Sequence, residues 1–148
     1  MHDQPSVTSL LLHADAMAES ARAVHPSGGH AVAPYMLLQA LATELTLKAL
    51  LLESKGRYPR VHSLRALFGD LPSEVMERVL SLHFDLYRAA APTASQDEAD
   101  RVLWEVADAS GDAFQMARYP EIGVVGVPDP EPLRRSVRAE LTKRTAQP

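Results

Sequence analysis

The chain has 148 residues, of which 46% are hydrophobic, so it is long and apolar enough for one globular domain with a single core. Its net charge of −4 excludes an overall basic nucleic-acid coat, although a local basic face remains compatible with it. There are no cysteines, which excludes disulfides and thiolate metal sites and fits a reducing cytoplasm, the expected location.

No signal peptide is expected, because the N-terminal residues lack a basic segment ahead of their short apolar run. The longest apolar run is interrupted by Glu44 and Lys48, so no membrane span is expected either. We find no glycine-rich phosphate loop and no paired Glu-x-x-His motif, so the sequence predicts no cofactor and no metal.

The first two predicted helices are long. In the first, apolar residues recur at helical spacing from Val7, after Ser6 as the expected N-cap. The second begins around residues 31–34 and ends near Lys55, where Gly56 is suited to the left-handed conformation that commonly follows a helix. Because this second helix is the most apolar part of the chain, we expect it at the centre of the domain.

Two opposite charges lie inside the second helix. At about 100° per residue, Glu44 and Lys48 project within about 40° of each other on a largely apolar side. Gln39, Thr46 and Glu53 lie roughly opposite and are the expected solvent edge. The pair should therefore be at least half buried and have further polar partners, because unsatisfied buried charges are costly. The alternative is an ordinary surface pair four residues apart.

A short helix and a third long helix follow in the sequence. A short helix is expected over Arg60–Phe68, with His62 near its start. A third long helix begins at Pro72 and ends before Pro92. Its predicted core stripe consists of Val75, Val79, Leu82 and Leu86.

The fourth long helix has the clearest start signal, a Ser-x-x-Glu capping box formed by Ser95 and Glu98. It should end at Arg118-Tyr119-Pro120, because a residue before proline avoids the helical conformation. Residues 119–129 are then expected to form an extended strap, in which a short strand is possible.

The last helix is expected over about residues 130–146, with a narrow apolar stripe and five basic residues: Arg134, Arg135, Arg138, Lys143 and Arg144. It is either a solvated amphipathic helix or a surface that faces phosphates. The predicted fold class is therefore all-α, an antiparallel four-helix bundle with a short inserted helix and an appended basic C-terminal helix. All of it forms a single domain, 1–148, with the bundle over about 6–118.

Three local motifs occur in order. They are Glu44-Leu45-x-x-Lys48-Ala49-Leu50, His62-Ser63-Leu64-x-x-Leu67 and Arg118-Tyr119-Pro120. Together they resemble the HEPN (higher eukaryote and prokaryote nucleotide-binding) domain family over about residues 31–120. The resemblance implies a helical bundle that commonly forms homodimers and is often encoded beside nucleotidyltransferases or in toxin–antitoxin and phage-defence loci. The partners it implies are a second copy of the chain, a protein such as a nucleotidyltransferase, and a nucleotide or RNA.

Many members of that family are metal-independent ribonucleases with an Arg-x4-6-His motif late in the bundle. Here Arg118 has no histidine at the required spacing. The stretch from Arg57 to His62 fits the spacing but lies early and contains a proline. Arg78 and His83 also fit, but five residues along a helix separate side chains by about 140°. We therefore predict no ribonuclease site, with Arg78 and His83 as the alternative catalytic pair.

An alternative argued from the residues themselves is that Glu44, Lys48, His62, Arg118 and Tyr119 converge, with the short helix folding back across the second helix to bring His62 to the buried pair. Such a cluster suits a phosphate or nucleotide bound by Lys48 and Arg118, with His62 as a donor. It is equally suited to a polar network that only fixes helix packing. The sequence leaves three functions open: a non-catalytic binding module, a divergent ribonuclease, and an interaction protein that uses the basic last helix.

Overall fold

The structure is a computed structural model that describes residues 5–24, 32–109 and 129–147. Every regular element in these ranges is a helix, which confirms the predicted all-α class. The helices are α1 (Val7–Ala23), α2 (Val32–Lys55), α3 (Leu64–Gly69), α4 (Ser73–Ala90), α5 (Gln96–Ala109) and α6 (Glu131–Thr145). The predicted end of the fourth helix and nearly all of the predicted strap lie outside the described residues.

Capping side chains set several helix boundaries as the sequence predicts. Ser6 caps α1 by accepting a hydrogen bond from the backbone N–H of Ser9 at 3.1 Å. Ser95 caps α5 in the same way, accepting from the N–H of Glu98 at 3.2 Å. Gly56 follows α2 with φ of +73°, a left-handed conformation that only glycine adopts without strain. These local interactions make the helix boundaries readable from the sequence.

Helix α3 begins later than predicted. Ser63 has extended backbone angles and accepts from the N–H of Ala66 at 3.2 Å, so the helix starts at Leu64 and not at Arg60. The difference arises because Pro59 and this serine cap favour an extended segment ahead of the helix. His62 therefore lies in that extended segment, immediately before the cap.

Helix α2 is the centre of the bundle, as predicted, but it has no solvent edge among its middle residues. Gln39 and Thr46 are each 1% exposed, although we expected them at the surface. The physical reason is that α6 runs alongside α2 in the same direction and covers that side. Asp129, just before α6, bonds Tyr35 near the start of α2, and Arg144 pairs with Glu53 near its end.

The segment Pro34–Lys55 would suit a membrane span by length and composition, with a mean hydropathy of 1.3. However, 67% of its most apolar window is buried inside the protein. The buried Thr46 hydroxyl donates to the carbonyl of Ala42 at 2.7 Å, which satisfies it within the helix. Protein neighbours thus provide the apolar surroundings that this helix requires.

The last helix forms part of the same core as α2 and α4. Its predicted stripe of Leu133, Val137 and Leu141 is buried, together with Glu140. On α4, Val75 and Val79 are buried as expected, but the next core position is His83, at 2% exposure. Leu82 and Leu86, predicted for that stripe, are only half-buried. The stripe advances by four residues at each step, which brings the histidine inward.

Candidate functional site

A buried carboxylate lies at the middle of α2. The Glu44 side chain is 4% exposed and accepts a hydrogen bond from Lys48 Nζ at 2.6 Å. Its two oxygens also lie 3.1 Å and 3.2 Å from His62 Nδ1. Because an ionised carboxylate has no proton to donate, the imidazole Nδ1–H donates in this pair. One buried anion thus holds an ammonium and an imidazole in fixed positions.

The two partners of Glu44 differ greatly in exposure. The Lys48 side chain is 12% exposed, whereas that of His62 is 77% exposed. The extended segment ahead of α3 carries His62 across the surface of α2, so one edge of the ring meets the carboxylate and most of the ring faces solvent. The cluster therefore consists of a buried carboxylate–ammonium pair and an exposed imidazole.

Tyr58 is a fourth member that the sequence analysis missed. Lys48 Nζ lies 5.6 Å from the centroid of the Tyr58 ring, a cation–π contact that helps to hold the partly buried ammonium. The useful signal was an aromatic residue two positions after the turn at Gly56, between Arg57 and Pro59.

Tyr58 also joins the cluster to a cleft. This cleft has a volume of about 250 Å³ and is lined by Lys55, Arg57, Tyr58, Pro59 and Asp70. One wall is held by Lys55, whose Nζ pairs with the Asp70 carboxylate at 2.8 Å and donates to the Asp70 carbonyl at 2.9 Å. Arg57 and, further along the same segment, Arg60 are exposed. The surface around His62 is therefore basic and suits an anionic ligand.

The structure brings three of the five predicted cluster residues together, namely Glu44, Lys48 and His62. Arg118 and Tyr119 lie outside the described residues, so their convergence stays a prediction. In the described ranges, no three His, Asp or Glu side chains are grouped so that they could hold a metal ion. What the described part of the cluster offers chemically is an ammonium paired with a carboxylate and an exposed imidazole, whose Nε2 accepts a hydrogen bond in the neutral ring and donates one in the protonated ring.

The alternative catalytic pair, Arg78 and His83, is not brought together. Arg78 donates from Nε to Glu140 on α6 at 2.7 Å, and this hydrogen bond raises its pKa. His83 points into the core, where burial lowers its pKa and the backbone of Ala99 only partly offsets that effect. Among the described residues, no hydrogen bond of ordinary geometry reaches either ring nitrogen. A buried neutral imidazole cannot contact RNA in this arrangement.

Two arginines of the basic last helix form ion pairs with other helices of the molecule. Arg138 pairs with Asp15 of α1 at 3.0 Å, and Arg144 pairs with Glu53 of α2. Two of the five basic residues, Arg135 and Lys143, are exposed. The helix is thus held to the bundle by ion pairs as well as by its apolar stripe.

Comparison with known proteins gives one match. A family model described as HEPN domain matches residues 7–139, a span that begins with α1 and ends within α6. No curated protein matches the chain, and no solved structure matches it. The matched span includes Glu44, Lys48 and His62, and also Arg118 and Tyr119.

Proposed function

The chain belongs to the HEPN domain family, and on that premise we propose that it is a non-catalytic module that binds a nucleotide or another phosphate-bearing ligand beside His62. The observation that carries this proposal is the exposed imidazole held by a buried carboxylate. Glu44 is 4% exposed and His62 is 77% exposed, with 3.1 Å between the bonded atoms.

A purely structural role explains this arrangement poorly. An ion pair or hydrogen bond to such an exposed side chain contributes only about 0–1 kcal/mol to folding. Fixing the ring orientation does, however, reduce the entropy that a ligand must remove when it binds. The carboxylate thus acts mainly on the orientation of His62, which favours a recognition role.

The neighbouring side chains favour a phosphate-bearing ligand. Arg57 lines the adjacent cleft, and a guanidinium donates two parallel hydrogen bonds to phosphate oxygens. Tyr58, in the same cleft, is the type of side chain on which a nucleobase stacks. In our proposal Lys48 keeps its predicted place in the ligand site, and Arg118 and Tyr119 complete the site from the end of a neighbouring helix.

The proposed module has no ribonuclease centre at Arg78 and His83, because one is paired with Glu140 and the other is buried. We also propose the partners that the family implies. These are a second copy of the chain and a protein such as a nucleotidyltransferase, within a cytoplasmic toxin–antitoxin or defence system. The divergent ribonuclease and the interaction protein with a basic last helix are the competing functions.

The test compares two exposed histidines. Ligand binding by the purified protein is measured with ATP and with a 5′-phosphorylated RNA oligonucleotide. We expect His62→Ala to weaken binding about 10-fold, the loss of one charge-assisted hydrogen bond, which Nε2–H of the protonated ring donates to phosphate while Nδ1–H stays on Glu44. His13→Ala is the matched control, because His13 is exposed on α1 and bonds the backbone of its own helix, at Ser9.

Several outcomes would contradict the proposal. Wild-type protein that binds neither probe would remove it, and so would equal affinities of the His62 and His13 variants. Cleavage of the RNA in the presence of EDTA would favour the ribonuclease instead, and its loss in His83→Ala would assign that activity. A further outcome is that replacement of Arg135 and Lys143 abolishes binding while His62→Ala keeps it. That result would favour the interaction protein that binds through its basic last helix.

A further inference from the structure

Helix α6 carries two arginine groups whose surroundings differ. Near its end, Arg144 pairs with Glu53 and lies 3.8 Å from Glu140, which also accepts from Arg78. Each guanidinium there has a carboxylate partner. In its first half, Arg134 and Arg138 face the seam between α6 and α1, where Arg138 pairs with Asp15 but Arg134 has no carboxylate oxygen of a described residue closer than 4.0 Å.

Two guanidinium nitrogens of the seam have no hydrogen-bond acceptor among the described residues. Arg138 Nη2 donates to Asp15 of α1 at 3.0 Å, whereas its Nη1 is buried without a partner in the described part of the chain. The Arg134 side chain is 13% exposed, and the described carboxylate oxygen nearest to it, on Glu131, is 4.0 Å from Nη2. Its Nε is likewise buried without a described partner.

The charges of the seam do not balance. Arg22, in the last turn of α1, is close enough for its charge to act on Arg134. Burial is the main cause that lowers the pKa of Arg134, and the neighbouring charges of Arg22 and Arg138 lower it further. Among the described residues, three cations therefore act on one another beside two carboxylates, those of Asp15 and Glu131. A partly buried cation in such surroundings is costly unless an anion compensates it.

We propose that Arg22, Arg134 and Arg138 form a binding site for a tetrahedral oxyanion of the phosphate class in the seam between α1 and α6. The donors come from three side chains on two helices, which suits the several acceptor oxygens of a tetrahedral anion.

Access to the seam is from the side of Arg22 and Arg138. Arg22 is exposed, and the Arg138 side chain is 35% exposed. A bound anion would contact these two guanidiniums first and reach Arg134 behind them. It would also link α1 to α6, which are both packed on α2 and are bridged by the pair of Asp15 and Arg138. Anion binding should therefore raise the thermal stability of the whole bundle.

The site is separate from the His62 surface and does not depend on the proposed function. It involves α1 and the first half of α6, whereas His62 lies in the segment between α2 and α3. The ligand source is either free phosphate or the phosphate group of a nucleotide. Equal concentrations of inorganic phosphate and 5′-AMP distinguish these sources, because the tighter ligand identifies the one that the site prefers.

The experiment is a thermal-unfolding titration with inorganic phosphate at constant ionic strength. At a phosphate concentration of about 100 times Kd, we expect Tm to rise by several degrees. Arg134→Met should lose most of this rise and should fold well without phosphate, because it removes an uncompensated buried charge. Arg135→Met is the matched control on the exposed side of the same helix and should keep the rise.

Three results would overturn the proposal. One is the absence of a phosphate-dependent rise in the wild-type protein. Another is an equal rise in wild type and Arg134→Met, which would place the effect elsewhere. The third is an equal rise with acetate, which would exclude selectivity for a tetrahedral anion. If Arg134→Met fails to fold, Arg138→Met tests the same prediction, and His13→Ala should retain the full rise.

Discussion

Two carboxylates in this molecule are almost equally buried, but their hydrogen-bond partners lie in different parts of the fold. Glu44 on α2 is 4% exposed and Glu140 on α6 is 2% exposed, and each accepts charged hydrogen bonds. Glu140 bonds Arg78 of α4 and lies near Arg144, which pairs with Glu53 of α2, so its partners tie three long helices together. Glu44 instead bonds a lysine of its own helix and an exposed histidine.

The difference teaches that burial of a carboxylate does not by itself reveal its role. What matters is where its partners lie. Partners on separate core helices indicate packing, as for Glu140. A partner that is 77% exposed, as His62 is, contributes little to packing and is oriented toward solvent. By this criterion Glu140 supports the fold, and Glu44 favours the recognition surface that we propose.

The largest expected effect comes from removing each carboxylate. Glu44→Ala leaves the Lys48 ammonium, 12% exposed, without its anion, and should lower the free energy of unfolding by about 3–5 kcal/mol. Glu140→Ala should cost less, about 2–3 kcal/mol, because Arg78 is 47% exposed and can turn to water. Urea unfolding of both variants measures the difference.

The matched control for the first change is the double variant Glu44→Leu with Lys48→Leu. It should recover much of the lost stability, because an apolar pair replaces a buried ion pair with little cost. If Glu44→Ala and Glu140→Ala reverse in order, the contrast between the two carboxylates is wrong. If the double variant is no more stable than Glu44→Ala, the unpaired Lys48 ammonium is not the cause of the lower free energy of unfolding.

The sequence predicted the elements of this fold well because their signals are local. The serine caps, the glycine after α2 and the apolar periodicity act within a few residues. The burial of Glu44 and Lys48 likewise follows from their angular position on an apolar helix. The approach of His62 to this pair came from the expectation that the short helix folds back across α2.

The errors came from features that depend on neighbours distant in sequence. Whether Gln39 and Thr46 meet solvent is decided by α6, which begins about ninety residues later in the chain. On α4 the predicted core stripe passes from Val79 to Leu82, whereas packing against α5 and α6 buries His83 instead. Tyr58 was overlooked because a loop aromatic gives no periodic signal. Tertiary packing decided each of these cases.

His83 is a third buried ionisable group, and it differs from the two carboxylates. Neither of its ring nitrogens has a hydrogen bond of ordinary geometry to a described residue. Its pKa is lowered by burial, so the unfolded chain binds a proton more readily than the folded protein does. Stability should therefore fall as pH drops below about 6.5 and level off below the lowered pKa. The slope for this one group is at most about 1.4 kcal/mol per pH unit.

The measurement is the free energy of unfolding against pH for wild type, His83→Leu and His13→Leu. His83→Leu should lose this part of the slope, whatever its stability at neutral pH. His13→Leu should keep it, because His13 is exposed on α1. An unchanged slope in His83→Leu would show that the buried imidazole does not titrate differently in the two states.

The smallest expected effect is on stability when the exposed partner of Glu44 is removed. His62→Ala should change the free energy of unfolding by less than about 0.5 kcal/mol, because Lys48 continues to compensate Glu44. Arg78→Ala should cost more, about 1–3 kcal/mol, because the buried Glu140 carboxylate then loses its hydrogen bond and keeps only Arg144, at 3.8 Å. The ligand affinities should follow the opposite order, with only His62→Ala weakening binding. A loss of more than about 2 kcal/mol in His62→Ala would instead make the Glu44 cluster a packing device like that of Glu140.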